Sequence, residues 1–384
     1  MRERRYDIDW LRVLAMLTVF YFHNAMFFND RWWHIKNPTG RSFGLTVFTE
    51  FVGVWMMPLF FILSGFGTGF ALRFRSAGEY AFERFKRLFI PCLFGTLVIV
   101  APQVYLERIF KGQYRGSYWQ WYPHFFEGIY PKGNFSWHHL WFLLYLFVFS
   151  MLALPLFVRL KTEAGRRLVA RLAALCQKPG GIFLLAIPII PIEIGLRPLF
   201  SGLQTLITDW ANFLTYITLF IYGYLFASDA GFGRAIAKQW KAALALALCA
   251  TGAMAYILIA REPKPGYNLG YALTTALRVF TTWFWLITIL GLGQRFLNFT
   301  NRALRYANEA VLPFYVLHQT VIISIGFYVV QWHTGIAQKY LMISTASLAA
   351  ALAIYEVLVK RTNPTRFLFG MRPMRPAASL GALG

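Results

Sequence analysis

The strongest constraint on this chain is its division into apolar runs of about 17 to 25 residues, the length that crosses a hydrocarbon core. In lipid a backbone satisfies its own hydrogen bonds only as a helix or a closed barrel, and apolar runs this long are helices. They fall at 10–28, 46–72, 88–106, 139–160, 181–199, 210–228, 240–260, 271–292, 311–332 and 339–360. The expectation is an all-α, polytopic transmembrane bundle of about ten helices filling residues 1–366. Residues 367–384, rich in proline and small side chains, read as a short disordered cytoplasmic tail. The fifth run holds Pro188, Pro191, Glu193 and Arg197 and admits a kinked or re-entrant course.

Composition excludes the soluble alternative: 58% of residues are hydrophobic, 18% aromatic and 14% charged. A net charge of +22 raises the question of nucleic acid. The basic residues, however, sit in short clusters between apolar runs, which is the positive-inside pattern rather than a phosphate-binding stripe. With the N-terminus inside, 25 of the 38 Lys and Arg fall in cytoplasmic segments. Both termini are therefore expected in the cytoplasm, as in a multi-pass protein of the inner membrane surrounded by lipid. Cys92, Cys176 and Cys249 lack paired spacing, so neither a disulfide framework nor a metal site is indicated. The first apolar run lacks a small-residue cleavage site and reads as an uncleaved helix.

Ionisable residues inside apolar runs are costly, and each is a functional candidate. Arg12 and His23 are eleven residues apart, which on a helix puts them on one face, about 16 Å apart along the axis. Snorkelling to the interface is the plain alternative for Arg12. His23, Glu50 near the outer end of the second run and His139 at the start of the fourth fall at similar depth. A histidine beside a carboxylate is a general-base arrangement. Glu193, Arg278 and Glu356 read as structural ion-pair members.

Two further stretches carry binding chemistry. Ser64-Gly65 allows close helix approach, and Arg84 and Arg87, three apart, are expected on one helical face at the membrane surface. That patch suits either an anionic, phosphate-bearing ligand or lipid headgroups. The segment Glu107 to His138 reads as the longest external loop. Its many aromatics suit either sugar stacking or an interfacial belt.

Taken in order, Asp9, Arg12 and His23, Phe60-Phe61-Ile62-Leu63-Ser64-Gly65-Phe66, Arg84-x-x-Arg87, His139-Leu140-Trp141-Phe142-Leu143 and Tyr315-Val316-Leu317-His318 resemble the integral-membrane acyltransferase-3 family. The resemblance covers nearly the whole chain and extends to the glucan-modifying branch. It implies a ten-helix O-acyltransferase that takes an acyl group, acetyl or succinyl, from cytoplasmic acyl-CoA to a hydroxyl of an extracytoplasmic glycan. It also implies that Arg12 and His23 are the essential pair and that Arg84 and Arg87 are the double-arginine motif. In this reading Arg12, Arg84, Arg87 and Ser64 bind acetyl-CoA or succinyl-CoA, and His23 acts on the acceptor with Glu50 or His139 orienting it. The competing class is a proton-coupled secondary transporter or a glycan exporter, and a homo-oligomer is left open.

Overall fold

The computed structural model describes residues 4–200, 202, 204–261 and 263–374. Among them the chain is helical throughout, and the one β-feature is an isolated bridge between Ile129 and Phe135. In chain order the helices are α1 Tyr6–Ala25, α2 Phe43–Ala71, α3 Ala77–Phe110, α4 Tyr118–Trp121, α5 His138–Leu152, α6 Leu154–Leu160 and α7 Glu163–Gln177. They continue as α8 Gly181–Leu196, α9 Trp210–Ser228, α10 Ala230–Ala260, α11 Leu269–Phe296, α12 Arg302–Val329, α13 Ile336–Val359 and α14 Asn363–Leu368.

Their starts are written in the sequence. The side chains of Ser42, Thr162, Asn268 and Thr362 each accept a backbone N–H in the first turn of the helix that follows, answering a donor that otherwise lacks an intrahelical partner. Inside α3, Phe85–Phe89 and Gly95–Val100 open into wider π turns. Each lies just before a proline, Pro91 or Pro102, whose ring supplies no N–H and crowds the carbonyl four residues back.

Among the described residues, seven helices are long and apolar enough to cross a membrane: α2, α3, α9, α10, α11, α12 and α13. The α5–α6 pair, bent by 48°, makes eight if it is one span. The chain is thus a multi-pass membrane protein. The two other expected spans, 10–28 and 181–199, are helical as α1 and α8 but fall outside that set. The first turns of α1 carry Asp7, Asp9 and Arg12, and α8 is short, with a 3₁₀ stretch over Gly181–Ala186.

The chain divides into two compact units. The first comprises residues 1–25, 42–82 and 141–308. Here α2 crosses α9 at a pair of glycines: a Cβ on Gly65 would run into the Phe220 carbonyl, and one on Gly223 into the Ile62 carbonyl. The close approach expected at Ser64-Gly65 is therefore made, and aromatic stacking of Phe61 on Tyr216 and of Phe157 on Tyr224 fills the space beside it. Glu193 is the ion-pair member anticipated for it, bound in two places by Arg197 and once by Thr215.

The second unit comprises residues 26–41, 83–140 and 309–384. Gly95 leaves room for Leu140, and Gly326 for the ring of Phe27. The buried ammonium of Lys339 donates to Asn37 Oδ1 and the Val330 carbonyl, both at 2.8 Å. Glu356 pairs with Lys360 at 3.0 Å. The expected tail divides: Phe369 and Met371 are buried, so residues 367–374 pack as part of this unit, while 375–384 lie outside the described residues.

The α2–α9 crossing generates a test. Gly65→Leu should destabilise the protein by about 3 kcal/mol, at the upper end of overpacking, because the neighbour it meets is backbone. Gly67→Leu, which meets nothing within 4 Å, should leave the midpoint of thermal unfolding in detergent unchanged. Equal effects of the two substitutions would contradict the crossing.

Candidate active site

Helix α1 carries Arg12 and His23 without interruption, so the shared face anticipated from their spacing is present. Both side chains are half-buried. Arg12 Nη1 lies 3.5 Å from Asp9 Oδ1, and the other carboxylate oxygen of Asp9 takes Arg4 at 2.8 Å. The carboxylate one turn earlier thus aims the Arg12 guanidinium and shares its charge. On α2, Glu50 is exposed and Ser64 is half-buried next to the glycine crossing.

Arg84 and Arg87 belong to the second unit, and the local geometry revises their expected relation. The wide turn Phe85–Phe89 begins between them, so they are turned further apart than residues three apart on an α-helix. Arg87 also has structural work: its Nε donates to the Gly370 carbonyl at 3.1 Å and its Nη1 meets Glu83 at 3.5 Å. Gly370 itself needs a left-handed backbone, φ 69°, where it turns back against the Arg87 carbonyl.

His139 is also in the second unit, and it is buried. Its Nε2 donates to the Val316 carbonyl at 3.1 Å, and its Nδ1 faces the Gln103 amide at 3.5 Å. Both ring nitrogens are thus engaged by neutral groups. Tyr315 donates its hydroxyl to the His139 carbonyl, and the His318 ring stands perpendicular to that of His139 at 5.1 Å.

A buried carboxylate–imidazole pair is formed by two residues not singled out in the sequence. His34 Nδ1 donates to Glu107 Oε2 at 2.6 Å, and the two side chains are 2% and 1% exposed. Lys111 donates to Glu107 Oε1 at 2.6 Å and Tyr130 to both carboxylate oxygens at 3.1 Å. Burial, reinforced by the adjacent carboxylate, pushes the Tyr130 phenol up, so it stays a donor. On the other side of the ring, Gln319 Nε2 donates to His34 Nε2 at 3.4 Å and to Gln103 Oε1 at 3.0 Å. Gln103 in turn donates to Thr320, which donates to the Ile99 carbonyl. Each donor therefore has one direction to point, and the network fixes His34 as the Nδ1–H tautomer.

From sequence, Glu107 is the first residue of the external loop. Helix α3 instead runs to Phe110 and carries Glu107 inside it. The signal was available in the basic residues at positions 108 and 111, within one turn of a lone acid at the end of an apolar run. The aromatics beyond it largely pack on one another. Trp121 and Phe125 are fully buried, whereas Trp119 is 80% exposed.

The Arg87 contacts separate its structural role from ligand binding. Arg87→Ala should speed protease cleavage within residues 367–374 about tenfold, the worth of one hydrogen bond from a charged donor. Arg84→Ala should not change the rate, as read by timed digestion and mass spectrometry.

Residues 5–356 match the family model described as an acyltransferase domain, Acyl_transf_3. Among curated proteins, the glucans biosynthesis protein C of Salmonella schwarzengrund is 26% identical over 396 aligned positions, covering 99% of this chain and 98% of that protein. The protein of the same name from Salmonella typhi is 26% identical over 397 positions, with the same coverage. That of Shigella dysenteriae serotype 1 is 24% identical, covering 97% and 96%. No solved structure matches.

Proposed function

The chain belongs to the acyltransferase-3 family and is an O-acyltransferase, and on that premise we propose that it moves an acetyl or succinyl group from cytoplasmic acyl-CoA to a hydroxyl of a carbohydrate outside the inner membrane. The relatives' name points to a glucan as the acceptor class. Both termini lie on the cytoplasmic side, following the distribution of basic residues.

The observation that supports this reading most is that Arg12 and His23 sit on one unbroken helix, half-buried and on the same face. A separation of about 16 Å along α1 is a length that the extended pantetheine arm of CoA spans. Arg12, nearer the cytoplasmic end, holds CoA at the base of that arm, so that the thioester carbonyl reaches His23. His23 takes the proton of the acceptor hydroxyl, with Glu50 as the residue that orients the ring. The hydroxyl oxygen attacks the thioester carbonyl, the carbon–sulfur bond breaks, and the proton returns to the departing thiolate. Imidazole suits that exchange because its unperturbed pKa is close to the working pH.

The roles predict different phenotypes. In purified protein, His23→Ala should lower acyl transfer to a gluco-oligosaccharide at least about 100-fold, the scale of lost acid–base catalysis, while CoA binding by calorimetry is retained. Arg12→Ala should weaken CoA binding by about tenfold or more through loss of a charge-assisted contact. Near wild-type transfer by His23→Ala would refute its role, and vesicle uptake of the carbohydrate without acylation would replace the enzyme by a transporter.

A further inference from the structure

His138, the neighbour of the residue singled out from sequence, has three features in the structure that set it apart. Its φ is +37°, a left-handed conformation that non-glycine residues rarely adopt and that costs free energy to hold. Its Nε2 is buried and, among the described residues, has no hydrogen-bond partner. Such a nitrogen is an exception to the rule that buried polar atoms are paired. Its ring is also clamped: the His34 ring stands perpendicular to it at 4.4 Å and the Tyr130 ring at 4.8 Å. Both clamping rings are in turn fixed by the carboxylate of Glu107.

Ser136 occupies the other ring nitrogen. Its Oγ accepts the His138 backbone N–H at 3.0 Å and lies 3.3 Å from His138 Nδ1. The hydroxyl can donate to Nδ1 or accept from it, so Nε2 is left as an acceptor or a donor, and a sugar hydroxyl, which does both, answers either. Beside the cluster Trp32 is 57% exposed, its ring edge-on to His34 at 5.1 Å and to Tyr130 at 5.8 Å. The Lys111 ammonium lies 5.7 Å from the Trp32 ring centroid, which helps to hold the indole in place. An exposed indole beside an unpartnered ring nitrogen suits a neutral, polyhydroxylated ring with an apolar C–H face.

We propose that Trp32 and His138 form a recognition site for the carbohydrate acceptor, in which a sugar ring lies against Trp32 and a hydroxyl other than the one acylated hydrogen-bonds to His138 Nε2. The site rests on the acyltransferase reading for its ligand class, and on the external placement of the segment after α3. His138 is a specificity-determining residue here, and Glu107 is a positioning residue that acts through His34 and Tyr130. The chemical step stays with α1.

The test uses full-length protein in detergent, a soluble gluco-oligosaccharide as acceptor probe, and succinyl-CoA or acetyl-CoA as donor. Trp32→Ala removes an exposed side chain and should raise the acceptor KM about tenfold, with kcat and the donor KM unchanged. His138→Ala should raise the acceptor KM about 10- to 100-fold, the worth of one buried hydrogen bond, again without changing the donor KM. Oligosaccharide binding without donor, measured by calorimetry, should weaken in the same ratio. An unchanged acceptor KM in both variants, with transfer intact, overturns the site and leaves the acyltransferase reading standing. Sugar binding that both variants lose, in a protein that transfers no acyl group, keeps the site and overturns that reading. If His138→Ala fails to fold, Trp32→Ala alone decides, because its indole is largely outside the core.

Discussion

A carboxylate held almost entirely out of water must be answered by donors, and the second unit is arranged around the answer given to Glu107. Three groups from different stretches of chain bond to it: His34 from the segment after α1, Tyr130 from the segment after α4, and Lys111 at the residue that follows α3. Arg108 adds a second cation, after Lys111, at 4.0 Å. A buried charge lacking partners costs several kcal/mol, so these segments are held together less by apolar contact than by the requirement to neutralise one side chain. The order it imposes passes outward. Once His34 Nδ1 is committed to Glu107, its Nε2 must be an acceptor, which sets Gln319, then Gln103, then Thr320.

The first unit is ordered differently. Its main crossing, α2 on α9, depends on the absence of side chains at Gly65 and Gly223, which lets the two backbones touch where there is no hydrophobic drive to bring helices together. Its polar order is a chain of its own, in which Arg197 donates to Glu193 and Asn212, and Asn212 and Tyr145 both donate to Asp209. The first unit carries Arg12 and His23, and the second carries the Glu107 network.

Much of the architecture was legible from residues alone. Length and hydropathy identify the membrane helices because a bilayer allows few alternatives, and the capping serines, threonines and asparagine mark where several of them begin. The pairing of Glu193 could be anticipated because its partner is four residues away on the same helix. The Glu107 network could not, because His34 and Gln319 are 285 residues apart and no periodicity links them. The choice between His138 and His139 was equally hidden. Adjacent histidines look equivalent in sequence, and what distinguishes them is a backbone angle and the partners of each ring. For the candidate site, the shared face of Arg12 and His23 follows from helical geometry, whereas the relation of Arg84 to Arg87 was misjudged because an α-helical step was applied across a π turn.

Those π turns carry a consequence for α3 as a whole. The helix bears the arginine pair near one end and Glu107 near the other, and both wide turns lie between Arg84 and Glu107. Each wide turn inserts about one residue relative to the α-helical register, and one residue corresponds to about 100° of rotation. The azimuth of Glu107 relative to Arg84 is therefore set by how many wide turns α3 contains. Pro91 and Pro102 act as the stops that hold the helix at two, much as detents hold a dial.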